Sequence, residues 1–229
     1  MESNQITSNI EMTKKKVKAR CLANGVDPDN VMIVAVSKGY GPEYAEIALN
    51  AGLQNLGENR IQEAASKIPQ VRIPARWHLV GHLQKNKAKK ALTLFHVIQS
   101  VDSVELARIL SEISDRNGVT TEIFLQINSS GEKAKSGFAP DEIIGQAETI
   151  SQLKALNITG LMTIGPLSED IDLIRKSFEL TQKAFEKLKI AIGGNFRCLS
   201  MGMSGDYETA LDYGANVLRI GTAIFGSRN

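Results

Sequence analysis

The chain has 229 residues, 42% hydrophobic and 23% charged, with a formal net charge of +2. That length buries a sizeable core and suits an α/β barrel as one unit. The near balance of charge gives no global pull toward nucleic acid, and no run is long and apolar enough to span a bilayer, so neither partner is expected.

The opening stretch "MESNQITSNIEMTKKKVKARCLANG" has no apolar centre and no small-residue cleavage site. No secretory signal is read there, and a cytoplasmic protein is expected. The same stretch predicts a leading helix over about residues 3–24. Cys21 and Cys198 lack metal-ligand spacing and the density of a disulfide scaffold, so both read as small hydrophobes.

Eight apolar, β-branched runs follow: "VMIVAV" (31–36), "NLGEN" (55–59), "WHLVG" (77–81), "HVIQS" (96–100), "EIFLQIN" (122–128), "ITGLMTI" (158–164), "RCLSM" (197–201) and "VLRIG" (217–221). Seven amphipathic stretches lie between them, the signature of parallel strands joined by crossover helices. Pro42 and Pro140 suit first helical turns, Asp102 suits the cap of the helix after the fourth strand, and Gly52, Gly118 and Gly214 suit helix exits.

This alternation predicts a (β/α)8 TIM-type barrel, one domain over residues 1–229, with the N-terminal helix (1–24) packed on it. Only "TAIFGSRN" follows the last strand, so that helix is expected in the vacant eighth place of the outer ring. An open doubly wound sheet is the alternative, but no strand exit carries GxGxxG or GxxxxGK[ST]. The polar stretch 128–138 follows the fifth strand and reads equally as a cover over the active face or as a solvated loop.

Barrel sites are built at the C-terminal ends of strands. Ser200 and Ser204 offer hydroxyls at the seventh exit, and Gly202, Gly221 and Thr222 add close backbone approach and a further hydroxyl. Small residues at one exit often only turn the chain; two adjacent exits with the same chemistry point to a phosphate cradle. Barrel closure sets strand eight beside strand one, and so places Lys38 next to that cradle. A desolvated lysine there, with Arg219 as a positive neighbour, is a candidate Schiff-base nucleophile. Arg219 and Gly221 share one strand face and point toward the barrel mouth, although a structural salt bridge remains open for Arg219.

Together "VAVSK", "GENRIQE", "WHLVGHLQKNK", "SVDS", "GLMTIGP", "LSMGMSGDYETAL" and "RIGTAIFG" resemble the pyridoxal phosphate homeostasis protein (YggS/PROSC) family, in order and from Val34 to Gly226. The resemblance implies a barrel similar to the N-terminal barrel of alanine racemase, with pyridoxal 5′-phosphate (PLP) held as a reversible aldimine on Lys38. It also implies phosphate contacts from Ser200, Gly221 and Thr222, Arg219 at the pyridine nitrogen, Asn59 and Met162 near the ring, and Met203 beside the phosphate loop. An arginine at that nitrogen weakens the electron sink and disfavours transamination-type chemistry. Members resemble non-catalytic carriers that influence vitamin B6 balance, with apo PLP-dependent enzymes as partners; a monomer is expected. The sequence departs from the pattern after the lysine, where Gly39 and Tyr40 stand in place of the common Thr.

Three rival readings use the same residues. A PLP-dependent amino-acid racemase needs a second acid/base group, and only Tyr40 among the four tyrosines lies near a strand exit. Eight residues follow Gly221, so a second domain to supply one is not expected. An aldolase needs a proton shuttle from Glu58, His78 or His82, and the histidines more often only hydrogen-bond at a barrel rim. The basic run "KNKAKK" (85–90) lacks interleaved aromatics and reads as a solvated helix face.

Overall fold

The computed structural model describes residues 3–132 and 135–227. Its strands are β1 (Met32–Val36), β2 (Asn55–Glu58), β3 (Arg76–Leu79), β4 (Val97–Val101), β5 (Thr121–Ile127), β6 (Leu156–Thr163), β7 (Cys198–Ser200) and β8 (Val217–Ile220). All eight predicted runs are strands, and they pair in parallel, in chain order, into a closed barrel. Closure sets Val34 of β1 opposite Arg219 of β8 and Ala35 opposite Ile220. Strands covered on both faces need no polar side, which is why the runs are nearly continuous apolar segments.

Alternation along each strand divides the core in two. Ala35, Leu56, Leu79, Ile98, Ile123, Leu161, Leu199 and Leu218 face outward into the layer shared with the helices. Val34, Val97, Phe124, Met162 and Val217, drawn from five strands, form an apolar plug inside the barrel. This packed interior separates the upper rim from the lower end of the barrel.

The helices are α1 (Ser3–Ala23), α2 (Pro42–Asn50), α3 (Ile61–Lys67), α4 (Ala88–Leu92), α5 (Val104–Arg116), α6 (Ile143–Ser151), α7 (Ile171–Ile192), α8 (Tyr207–Asp212) and α9 (Thr222–Phe225). On α7, Ile174, Ser177, Phe178, Thr181, Ala184, Phe185 and Leu188 are buried, a stripe at helical spacing that seats the helix on the sheet. On α1, Ile6, Ile10, Thr13, Val17 and Cys21 form a similar stripe. The helix packs against α2, α8 and α9, in the part of the outer ring that the four-residue α9 after β8 does not fill. Among the described residues, no helix is long and apolar enough to cross a membrane.

Two end signals and one helix differ from expectation. Ser103, not Asp102, caps α5, accepting the Leu106 N–H at 3.2 Å, a contact worth about 1 kcal/mol. Asp102 bonds His82 instead, because at the rim its carboxylate meets the imidazole across the β3 exit. Pro140 precedes α6, which starts at Ile143, and the basic run splits into a 3-10 turn over Lys85–Lys87 and a short α4. Pro42 opens α2, and Gly52, Gly118 and Gly214 take positive φ at helix exits as expected.

Candidate functional site

Lys38 stands two residues past the end of β1, half-buried at the mouth of the barrel. It lines a cavity of about 370 Å³ together with Val36, Asn59, Val80, Ile164, Met203, Ser204, Gly205, Arg219, Gly221 and Thr222. That volume lies within the range of roughly 300–1,000 Å³ used for small-molecule sites. A larger cavity of about 530 Å³ opens at the other end of the barrel, beside the start of β1 and β2. It lies away from the strand exits, where sites on this fold are built.

Of the eight residues expected to contact a cofactor, six line the cavity: Lys38, Asn59, Met203, Arg219, Gly221 and Thr222. Met162 and Ser200 do not. Met162 is fully buried in the apolar plug, one layer below Ile164, which shares its strand face and reaches the wall. Ser200 is also fully buried and bonded on two sides. Ser204 takes its place on the wall, with its Oγ accepting the Gly221 N–H at 3.2 Å and the Ala223 N–H at 3.1 Å. The β7 exit loop and the first turn of α9 are thereby joined at one edge of the cavity.

Arg219 is almost fully buried, and its guanidinium is held by uncharged oxygens. Nη1 donates to Ser200 Oγ and Nη2 to the Thr163 carbonyl, each at 2.6 Å. Burial pulls its pKa down to about 10, with the nearby Asp206 carboxylate opposing the shift. The charge is retained at neutral pH. Burial in turn raises Asp206, although it accepts the Met203 N–H at 2.6 Å and faces Arg219.

Beneath Arg219 a polar thread crosses the barrel interior. Ser200 Oγ lies 2.7 Å from Gln99 Oε1, the Gln99 amide nitrogen lies 2.9 Å from His78 Nδ1, and His78 Nε2 lies 3.0 Å from Asn55 Oδ1. Sequence reasoning passed over Gln99, whose only signal was an amide within the apolar run "HVIQS". His78 therefore belongs to the interior and not to the rim, and burial drives its pKa down to about 3. His82 is exposed and pairs with Asp102 at 3.0 Å. Neither of these histidines nor Glu58, the shuttle candidates of the aldolase reading, lines the cavity.

Tyr40 does not cover the cavity. Its Oη donates to the Gly226 carbonyl at 2.7 Å, and its ring packs against Tyr44 and Phe225 with centroids 4.9 and 5.4 Å away. Of the described residues in 128–138, Phe138 is tied to β5, its N–H reaching the Gln126 carbonyl at 2.8 Å, and Lys135 to the loop after β6, its Nζ reaching the Gly165 carbonyl at 2.8 Å. The expectation of a cover falls partly on residues 133–134, outside the described residues. Lys85, Lys89 and Lys90 of the basic run are exposed, as a solvated face should be.

Comparison with known proteins agrees with this geometry. The family of the alanine racemase N-terminal domain matches residues 5–229. The pyridoxal phosphate homeostasis protein of Helicobacter pylori strain J99 is 39% identical over 198 residues, 85% of this chain and 87% of that protein. The structure of PipY from Synechococcus elongatus with PLP bound has a TM-score of 0.84 at 33% identity, covering 97% of this chain and 100% of PipY. The alanine racemase of Clostridium difficile 630 has the same fold, with a TM-score of 0.79 at 18% identity over 98% of this chain and 56% of the racemase. With the closed barrel and its rim lysine, these likenesses show that the chain belongs to the pyridoxal phosphate homeostasis protein family, built on the fold of the alanine racemase N-terminal domain.

Proposed function

We propose that this protein binds PLP on Lys38 and serves to hold and hand on the cofactor, without substantial catalysis of its own. The observation that carries the reading is the convergence of Lys38, Arg219 and the Ser204–Gly221–Thr222 edge on one cavity. The donor set fits the group: a primary amine for an aldehyde, hydroxyls and backbone N–H groups for a phosphate, a guanidinium for a ring nitrogen, and apolar walls for a flat ring. Bound PLP supplies an aldehyde that condenses reversibly with a primary amine.

The chain's own residues divide the remaining work. Ser204 and Thr222 offer hydroxyls to an anion, where backbone N–H groups at the rim add favourable dipoles. Val36, Val80, Ile164 and Met203 keep water from the ring faces. Arg219 is a donor only, so toward a pyridine nitrogen it keeps that atom unprotonated. Met162 and Ser200 act from below, the first filling the barrel under the cavity and the second orienting Arg219.

Holding rather than turnover is supported by the walls. Among the described residues, no carboxylate, imidazole or phenol lines the cavity, and Tyr40 is committed to Gly226. Racemisation needs acid/base groups on both faces of the substrate, and Lys38 is the single candidate on these walls. Free Cys21 and Cys198 suit a reducing cytoplasm.

Titration with PLP is the direct test. A visible absorbance band that survives desalting, a borohydride-fixed adduct mapped to Lys38 and loss of both in Lys38→Ala are expected. Protein that takes up no PLP overturns the reading. Mixing loaded protein with an apo PLP-dependent enzyme tests delivery, and activation no different from that by free PLP removes that part. Racemisation of amino acids well above the rate with free PLP removes the non-catalytic part.

A further inference from the structure

Lys67 is the last residue of α3 and the one buried lysine among the described residues, yet it does not line the cavity. We propose that Lys67 and Glu63 form a two-armed clamp on the backbone around Lys38 and so set how long PLP is retained; the retention half rests on the function proposed above.

The clamp is read from hydrogen bonds. Lys67 Nζ donates to the Ser37 carbonyl at 2.7 Å, to Glu58 Oε1 at 2.5 Å and to Glu63 Oε1 at 3.2 Å. Three donors meet three acceptors, so the ammonium is fully used. Glu63 Oε1 in turn accepts the Gly39 N–H. The Ser37 carbonyl belongs to the peptide group before Lys38, and the Gly39 N–H to the peptide group after it. Each planar unit flanking the Lys38 Cα is therefore pinned, and its two soft dihedrals cannot turn unless one arm lets go.

Two further observations explain why the clamp is stiff. Gly39 has a φ of +77°, a conformation that costs a side-chain-bearing residue about 1 kcal/mol or more. Glu58 is fully buried, also accepts the Ser37 hydroxyl at 2.7 Å, and leaves its Oε2 without a partner. A buried carboxylate in that state is tolerated because the Lys67 ammonium lies against it, so both groups stay where they are. The backbone at the base of the rim lysine is held on both sides.

Two variants separate the clamp from the general stability of the barrel. Lys67→Met strands the Glu58 charge and is expected to destabilise the fold, so Glu63→Ala carries the test, because it leaves the Lys67–Glu58 pair intact. Hydrogen exchange at Gly39 is expected to quicken about tenfold in Glu63→Ala, with exchange in β1 and β2 unchanged. PLP release, followed by trapping free PLP, is expected to quicken severalfold. Glu63→Gln retains an acceptor for Gly39 and is expected to restore most of both. Unchanged Gly39 exchange in Glu63→Ala overturns the clamp. Quickened exchange with an unchanged release rate overturns its role in retention. A wild-type protein that takes up no PLP overturns the functional reading instead, and the apo protein's Gly39 exchange still decides the clamp.

Discussion

Arg219 Nη1 donates to Ser200 Oγ at 2.6 Å, and the polar thread below takes its direction from that bond. A guanidinium has donors only, so the Ser200 hydroxyl hydrogen turns to Gln99 Oε1. That leaves the Gln99 amide N–H to donate to His78 Nδ1. His78 Nδ1 then carries no proton, and Nε2–H donates to Asn55 Oδ1. One buried charge at the rim thereby sets a tautomer several strands away.

The first prediction is that tautomer. Nitrogen NMR of His78 is expected to show the Nε2–H form alone across the neutral range. In Ser200→Ala the direction is no longer imposed, and a change in the His78 shifts is expected without loss of fold. A wild-type Nδ1–H form would contradict the donor chain.

Acid stability follows from the same residue. The His78 pKa falls from 6.5 to about 3 because burial penalises the imidazolium. The unfolded chain thus binds the proton that the folded chain refuses, and stability contributed above pH 6.5 is lost as pH falls toward 3. Near pH 5 the loss from this group is about 2 kcal/mol relative to neutral pH. Urea titrations at the two pH values measure it, and His78→Gln is expected to flatten the difference.

Gly81 decides where Asn59 stands. A Cβ at Gly81 would lie 2.3 Å from the Asn59 carbonyl oxygen and 2.7 Å from its Cα, so backbone must move. Gly81→Ala is expected to cost roughly 1–3 kcal/mol of stability and to weaken PLP binding about tenfold, since Asn59 lines the cavity. Thermal unfolding and PLP titration check the two effects, and wild-type affinity in a folded variant would remove Asn59 from the site.

Cys198 offers a control on the folded state. Burial, reinforced by Glu122, pushes its thiol up to about 11. At pH 8 its alkylation is expected to run about 100-fold slower than that of free cysteine, because the thiolate is the nucleophile. Adding denaturant should restore the ordinary rate.

The sequence by itself determined the eight strands, the helix that precedes them and the lysine at the first exit. Apolar runs of strand length alternating with helical stripes leave few other folds, and an ammonium at the end of a buried run shows without coordinates. The family resemblance pointed to Met162 near the ring, and Met162 does lie inside the barrel. Only the tertiary structure decided depth. Met162 stops one layer short of the cavity that Ile164 reaches, and Ser200 turns to Gln99 and Arg219 while Ser204 takes the wall. Gln99 and Lys67 stayed hidden for a related reason: an amide in an apolar run, or a lysine at the end of an amphipathic helix, signals nothing until the fold brings its partners against it. Spacing along a strand encodes the face a side chain takes, but barrel stagger and closure set the level at which it meets its neighbours.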